Sequence, residues 1–336
     1  MIQSNVNLLP FNTFGIGVSA KLFARFKNLD ELKTILEINT SKDLLILGGG
    51  SNVLFTKDFD GMVLKNEIKG FEITQQDDNH VIVRAGAGEN WHEFVLKCID
   101  HNFCGIENLS LIPGSVGASP MQNIGAYGVE IKDVFEKLTA YHIPSGEVHE
   151  FNHQECEFGY RESVFKRKFR GQYIILNVSF KLSKKSEINS SYGAIESELK
   201  RNGILNPSIK DISNAVITIR TSKLPDPKKI GNAGSFFKNP VVPKNILLEI
   251  QKTYQDVPYY NTDSLENVKI PAGWLIEKAG WKGKTFENYG VHKLQALVLV
   301  NYGNASGDSI LALSSDIIND IQKKFGVTLE REVNIL

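Results

Sequence analysis

The chain has 336 residues, enough for two or three domains with cores of their own. Its 42% hydrophobic and 23% charged residues are those of an ordinary globular protein. Lysine plus arginine equals aspartate plus glutamate at 38 each, which excludes nucleic acid and anionic membranes as expected partners but leaves room for a local cationic pocket.

The opening MIQSNVNLLPFNTFGIG has no basic start followed by an apolar run, so no signal peptide is expected, and no stretch nears the ~20 apolar residues of a membrane helix. Asn28 is placed to cap a helix whose Leu29, Leu32, Ile35 and Leu36 share a face, with Glu31 as capping-box partner. Leu44–Leu47 reads as a buried strand ending in Gly48-Gly49-Gly50-Ser51-Asn52. Val81–Arg84 reads as a second strand, ending in Ala85-Gly86-Ala87-Gly88. A helix then places Trp91, Phe94, Val95 and Cys98 on one side.

Residues 105–128, GIENLSLIPGSVGASPMQNIGAYG, hold five glycines, two prolines and no lysine or arginine. A glycine-rich loop of this length rarely serves only to connect elements, and is expected to bring backbone close to a ligand. Tyr173–Leu182 reads as a strand and Ser183–Tyr192 as a loop. Ile212, Ala215, Val216 and Ile219 have helical spacing, with a β-branched run that also permits a strand. Pro225-Asp226-Pro227 ends that element. Helices are expected over Pro243–Tyr254 and Pro271–Ala279, a strand over Ala296–Asn301, and a last helix on Ile310, Leu313, Ile317, Ile321 and Phe325, closed by Gly326. A boundary is expected near residue 205.

Glycines without Cβ let a chain turn sharply and present amide N–H groups to a phosphate, which makes residues 48–52 a candidate anion loop. The third glycine of a dinucleotide fingerprint is absent there and after Gly86-Ala87-Gly88, which disfavours a Rossmann fold. Gly283-Lys284-Thr285 is not a P-loop, because the required first glycine falls on Lys278. Ser235 has no local general base, which weakens a serine-nucleophile reading. His92, His101, His142, His149, His153 and His292 lack paired metal-ligand spacing, so no metal is expected. Cys98, Cys104 and Cys156 form no CxxC and are expected to be packing residues in a reducing cytoplasm.

Read in order, Asn12-Thr13-Phe14-Gly15, LGGGSN, IPGSVGASPMQNIGAYG, GYRESVFK, RTSKLPDP, GNAGSFFKNP, PAGWLIEKAG, VHKLQALVLVN and LEREV resemble the UDP-N-acetylenolpyruvoylglucosamine reductases over nearly the whole chain. The resemblance implies an α+β protein. A flavin domain of the vanillyl-alcohol-oxidase (PCMH) type, with two α+β subdomains at 1–67 and 68–206, is joined by a separate α+β substrate domain at 207–325, and 326–336 returns to the first subdomain. It implies non-covalent FAD and NADPH as hydride donor. FAD contacts would come from Gly48, Gly49, Gly50, Ser51 and Asn52, from Ile112, Pro113, Gly114, Ser115, Gly117, Ala118, Asn123, Gly125, Ala126 and Tyr127, and from Arg220.

The substrate so implied is the enolpyruvyl ether of UDP-N-acetylglucosamine, reduced to UDP-N-acetylmuramate for peptidoglycan. Arg161 and Glu332 match the groups beside the developing enolate, where one missing donor costs roughly 3–4 kcal/mol. A carboxyl group there is protonated or acts through a hydrogen-bonded partner. Ser235 matches the proton donor to the carbanionic carbon. Lys223, Asn239 and Tyr192 match diphosphate contacts, with Tyr160 and Gln295 as further contacts. In place of the proline that often precedes the glutamate, and of the basic residue two positions after it, this chain has Arg331 and Asn334. A cytoplasmic monomer is expected; the alternative is a flavin oxidase or dehydrogenase of a small alcohol or hydroxy acid.

Overall fold

The computed structural model describes residues 1–185 and 188–336. Residues 1–6, 20–49 and 60–222 pack as one unit, and 7–19, 50–59 and 223–336 as a second.

Among the described residues the first unit contains two larger sheets, beside a two-stranded ribbon of Gly125–Ala126 and Val129–Glu130. One is four-stranded, in the order Gln3–Asn7, Ser19–Phe26, Phe59–Asn66 and Leu44–Leu47, the last two parallel with Leu45 opposite Val63. Helix α1 (Leu29–Ile38) buries Leu32 and Ile35 among Phe26, Met62 and Leu64. Asn28 Oδ1 accepts the Glu31 N–H at 2.9 Å, but the Glu31 carboxylate accepts from Lys27 N–H rather than from Asn28. The expected capping box is thus displaced by one residue.

The second sheet has five antiparallel strands, in the order Glu147–Asn152, Phe135–His142, Tyr173–Ser183, His80–Gly86 and Phe71–Gln76. Helix α2 (Trp91–Asp100) brings Trp91 and Phe94 onto Phe180 of the central strand, with ring centroids 5.8 and 5.1 Å apart. Each such buried ring stabilises the unit by roughly 1.5–3 kcal/mol.

Ser183 ends its strand, and 184–185 and 188–192 have no regular structure, while Ser186 and Glu187 of the expected loop lie outside the described residues. Helix α3 (Gly193–Arg201), which the sequence did not announce, packs Ile195 and Leu199 against Ile212, Ala215, Val216 and Ile219 of α4 (Ile209–Lys223). Tertiary burial of that face decides for helix against the β-branched run.

In the second unit, short strands Val241–Pro243, Asn267–Lys269 and Tyr260–Asn261 form one sheet, and Thr285–Phe286, Tyr289–Val291 and Leu299–Asn301 another. Lys284 and Thr285 therefore enter a hairpin instead of a phosphate loop. Helices α5 (Lys244–Gln251) and α6 (Ala272–Lys278) start one residue late, because Pro243 and Pro271 stand outside as N-caps, and they end early, at Gln251 and Lys278. The strand expected over Ala296–Asn301 is confined to its last three residues; Val298 N–H instead closes a turn on Gln295 O. Helix α7 (Gly307–Phe325) buries Ile310, Leu313, Ile317, Ile321 and Phe325 and stops at Gly326, φ +68°. Asn334–Ile335 pairs in parallel with Val53–Leu54, so the C-terminus returns to the chain that follows the glycine turn.

All three cysteines are free and buried. Burial pushes the Cys98 thiol far up, and pushes Cys156 up to about 12 with Glu155 assisting. Thiolate is the reactive form. A disulfide-exchange reagent at pH 8 is therefore expected to titrate these thiols only after denaturant is added; rapid labelling of native protein at Cys98 or Cys156 would contradict the packing.

Candidate active site

In the first unit, backbone meets backbone at the two glycine turns. A Cβ on Gly48 would lie 2.4 Å from Ser115 Oγ, one on Gly49 2.7 Å from Gly114 Cα, and one on Gly117 2.5 Å from Ala87 Cβ. The Trp91 N–H donates to Gly114 O at 3.1 Å and the Gly117 N–H to Ala87 O at 2.9 Å. Yet Gly49, Pro113 and Ala118 stay exposed, so the paired turns carry a rim of backbone without bulky side chains. Such a rim, at the end of a parallel strand, fits a dinucleotide pyrophosphate.

Residues 111–127 are held by unusual local conformation. Leu111, Asn123 and Tyr127 have φ of +59°, +45° and +50°, and Arg161 has +56°. Non-glycine residues keep this left-handed backbone only where their surroundings impose it. The Leu111 N–H donates to His92 Nδ1 at 3.0 Å, and the Leu111 carbonyl accepts from Arg220 Nε at 3.2 Å. Asn123 donates through Nδ2 to Glu130 Oε2 and to Gly159 O, both at 3.0 Å, and accepts the Lys132 N–H at 3.1 Å. Tyr127 hydrogen-bonds Arg220 through its side chain, and burial raises its phenol pKa.

Arg161 is half-buried against this segment. Its Nη2 donates to Gly125 O at 2.7 Å and its Nη1 to Asn123 O at 3.5 Å, with Glu130 Oε1 4.0 Å away. A Cβ on Gly125 would come within 2.7 Å of Glu130 Cγ, 2.9 Å of Val129 O and 3.3 Å of Arg161 Nη1, so glycine here lets the Val129–Glu130 strand, and less tightly the guanidinium, pack close. Tyr160 stacks beneath it, 5.4 Å from ring centroid to Cζ. Tyr192 meets Tyr127 edge-on at 5.3 Å. Asn108, which sequence reasoning passed over, donates from Nδ2 to both Tyr127 O and Asn189 O, tying that tyrosine loop to the glycine segment. No local motif could signal a contact across so much chain.

In the second unit, Ser235 follows Gly234, φ +70°, whose missing Cβ faces open space. Asn232 builds the turn by accepting the Gly234 N–H at 3.0 Å, and Thr13 Oγ1 donates to Asn232 O at 2.6 Å. Phe236 and Phe237, both fully buried, anchor the other side. The Glu332 N–H donates to Phe236 O at 2.8 Å, so Ser235 and Glu332 sit on neighbouring chains. Arg331 turns the other way: its Nε and Nη2 donate to Ser314 and Ser315 Oγ of α7, both at 2.7 Å. Alternation along extended chain then sends Glu332 to the opposite side. Asn334 donates from Nδ2 to Asn52 O at 2.9 Å. Both departures from the family pattern thus have structural partners.

The Phe236 N–H reaches Leu297 O at 2.7 Å, bringing in the Gln295 turn. Asn239 Oδ1 accepts the Ala272 N–H at 2.9 Å, and Gln295 Oε1 would lie 3.5 Å from a Cβ on Gly273. Asn239 and Gln295 therefore meet at the start of α6. Lys223 is exposed at the end of α4. The boundary between the two units falls inside the glycine turn: Gly50 packs on Phe11 O and accepts the Thr13 N–H at 3.0 Å, and Asn52 donates to Glu332 O at 3.3 Å. Among the described residues no cluster suits a metal ion, and no helix is long and apolar enough to cross a membrane.

The fold is that of an α+β flavoprotein, and its glycine turns lack a Rossmann fingerprint. Residues 20–152 match an FAD binding domain, and 226–336 match the C-terminal domain of UDP-N-acetylenolpyruvoylglucosamine reductase. The reductase of Flavobacterium johnsoniae is 53% identical over 100% of this chain and 99% of its own, and that of Pseudomonas syringae pv. tomato 50% over 99% and 98%. The crystal structure of the Thermus caldophilus enzyme shares the fold, with a TM-score of 0.70 at 21% identity over 100% of this chain and 99% of its own. The chain belongs to the UDP-N-acetylenolpyruvoylglucosamine reductase family.

Gly49→Ala tests the turn pairing directly. Overpacking against Gly114 costs about 1–3 kcal/mol, and flavin content after purification, read as visible over ultraviolet absorbance, is expected to fall well below that of the unaltered protein. Full flavin content would show that the turns need no glycine at 49.

Proposed function

We infer that this chain catalyses the reaction its family is named for, the NADPH-dependent reduction of the enolpyruvyl ether of UDP-N-acetylglucosamine to UDP-N-acetylmuramate, in peptidoglycan synthesis. The observation that carries it is the pairing of the Ser235 turn with the Glu332 strand, within a chain whose N-terminal part is an FAD binding domain. FAD, when bound and reduced by NADPH, would supply the hydride that the terminal carbon of the enolpyruvyl group receives.

The residues do the rest. As the C=C electron pair moves to the adjacent carbon, charge spreads into the neighbouring carboxylate, and the guanidinium of Arg161 is the donor set that balances it. Its position is fixed beforehand by the Gly125 and Asn123 carbonyls, so little reorganisation is needed. Ser235 Oγ gives its proton to the carbanionic carbon, completing the saturated lactyl ether. A hydroxyl is a weak acid, but the carbanion is a much stronger base. Glu332 acts beside the enolate, protonated or through a hydrogen-bonded partner. Tyr160, Tyr192, Lys223, Asn239 and Gln295 take the nucleotide sugar, with Lys223, Asn239 and Tyr192 at its diphosphate.

Residues 48–52, 112–115, 117–118, 123, 125–127 and Arg220 hold FAD, without a covalent bond. A three-part division at 67 and 206, with 326–336 joining the first part, completes the reading, as does a cytoplasmic monomer without nucleic-acid partner. Three free, buried cysteines support a reducing compartment. Ser235→Ala is expected to leave NADPH bleaching of the flavin intact and to lower turnover at least ~10²-fold, the usual size of a general-acid contribution. Arg161→Ala should slow flavin reoxidation by the UDP-sugar more than flavin reduction. Full turnover by Ser235→Ala would remove the proton-donor assignment.

A further inference from the structure

We propose that His92 is a positioning residue for the flavin-facing segment: its neutral imidazole accepts the Leu111 N–H and, with Arg220 on the Leu111 carbonyl, fixes the left-handed turn from which residues 112–127 depart. This rests on the FAD reading given above.

The geometry sets the tautomer. A backbone N–H pointing at Nδ1 from 3.0 Å requires that nitrogen to be an acceptor, so the ring proton sits on Nε2. Leucine gains nothing intrinsically from φ +59°, and no glycine relieves the strain at this position. Both polar groups of that residue are instead held by side chains from two helices: His92 in the first turn of α2, and Arg220 near the end of α4. Arg220 also bonds Tyr127 at the far end of the same segment, so one guanidinium braces both of its ends. His92 thereby holds the entry to the rim at exposed Pro113 and half-buried Gly114 without itself being part of it.

A second proton at Nδ1 would turn the acceptor into a donor facing another donor, and release the turn. The charged groups around His92 are Glu93 on its own helix and Arg220 on α4. Burial lowers the His92 pKa, Glu93 opposing and Arg220 assisting, so the clamp holds at neutral pH and through the upper part of the imidazole range. Because the folded pKa lies below the ordinary one, the clamp's contribution is lost as pH falls from about 6.5 through that lowered value.

The test is FAD affinity of the full chain, measured by quenching of flavin fluorescence from pH 8 to pH 5, for the unaltered protein, His92→Ala and His92→Gln. His92→Ala is expected to raise the FAD dissociation constant about tenfold, the loss of one hydrogen bond. His92→Gln, which keeps an acceptor but cannot titrate, should bind within about threefold of the unaltered protein by the same reckoning, and should lose the acid step in affinity. Unchanged affinity in His92→Ala, equal losses in both variants, or an acid step that survives in His92→Gln would each overturn the proposal. Failure of the unaltered protein to bind FAD would instead sink the functional reading itself.

Discussion

The chemistry proposed for the second unit depends on one stretch of backbone pairing. The Glu332 N–H donates to Phe236 O, the Lys238 N–H donates to Glu330 O, and Phe237 bridges Arg331 between them. Two segments far apart in sequence are thus held in register, and the buried Lys238 ammonium reaches the Glu330 carboxylate at 2.6 Å. A slip of one residue would exchange Glu332 for Arg331 opposite Phe236. The serines of α7 that hold Arg331 oppose such a slip. The C-terminal strand on Val53–Leu54 adds a further restraint on the same register.

The glycines work less directly than their pattern suggests. Read from sequence alone, residues 48–52 and 114–117 invite a ligand against each bare Cα. The structure uses several of those absent side chains to let the chain approach itself, Gly49 on Gly114 and Gly117 on Ala87, and Gly50 on Phe11 O. What remains for a dinucleotide is the exposed rim that this close packing creates. The two roles are coupled, since a methyl group between the turns would move the rim.

Much of this was legible in sequence. The Asn28 cap of α1, the Gly326 stop of α7 and the apolar faces of α1, α2 and α7 announced themselves because local spacing and local burial agree there. The order of glycine-rich segments carried the family and its α+β flavin fold. The positions of Arg331 and Asn334 were visible as departures, but their partners on α7 and at Asn52 were not, because those contacts span much of the chain. Helix α3 was missed since its short polar sequence gains its helicity from packing Ile195 and Leu199 on α4. The clamps on Leu111 and Tyr127 were hidden for the same reason: Asn108 carries no signal in sequence, His92 reads only as a metal-ligand candidate and Arg220 only as an FAD contact, until folding places them on backbone groups.

The most direct measurement is an anaerobic single turnover. Purified protein is bleached with one equivalent of NADPH, mixed with the enolpyruvyl ether of UDP-N-acetylglucosamine, and followed at the flavin's visible band. Recolouring is expected in step with formation of one UDP-N-acetylmuramate per flavin. A colourless preparation unable to take up FAD, or a bleached one that regains colour only when oxygen is admitted, would contradict it.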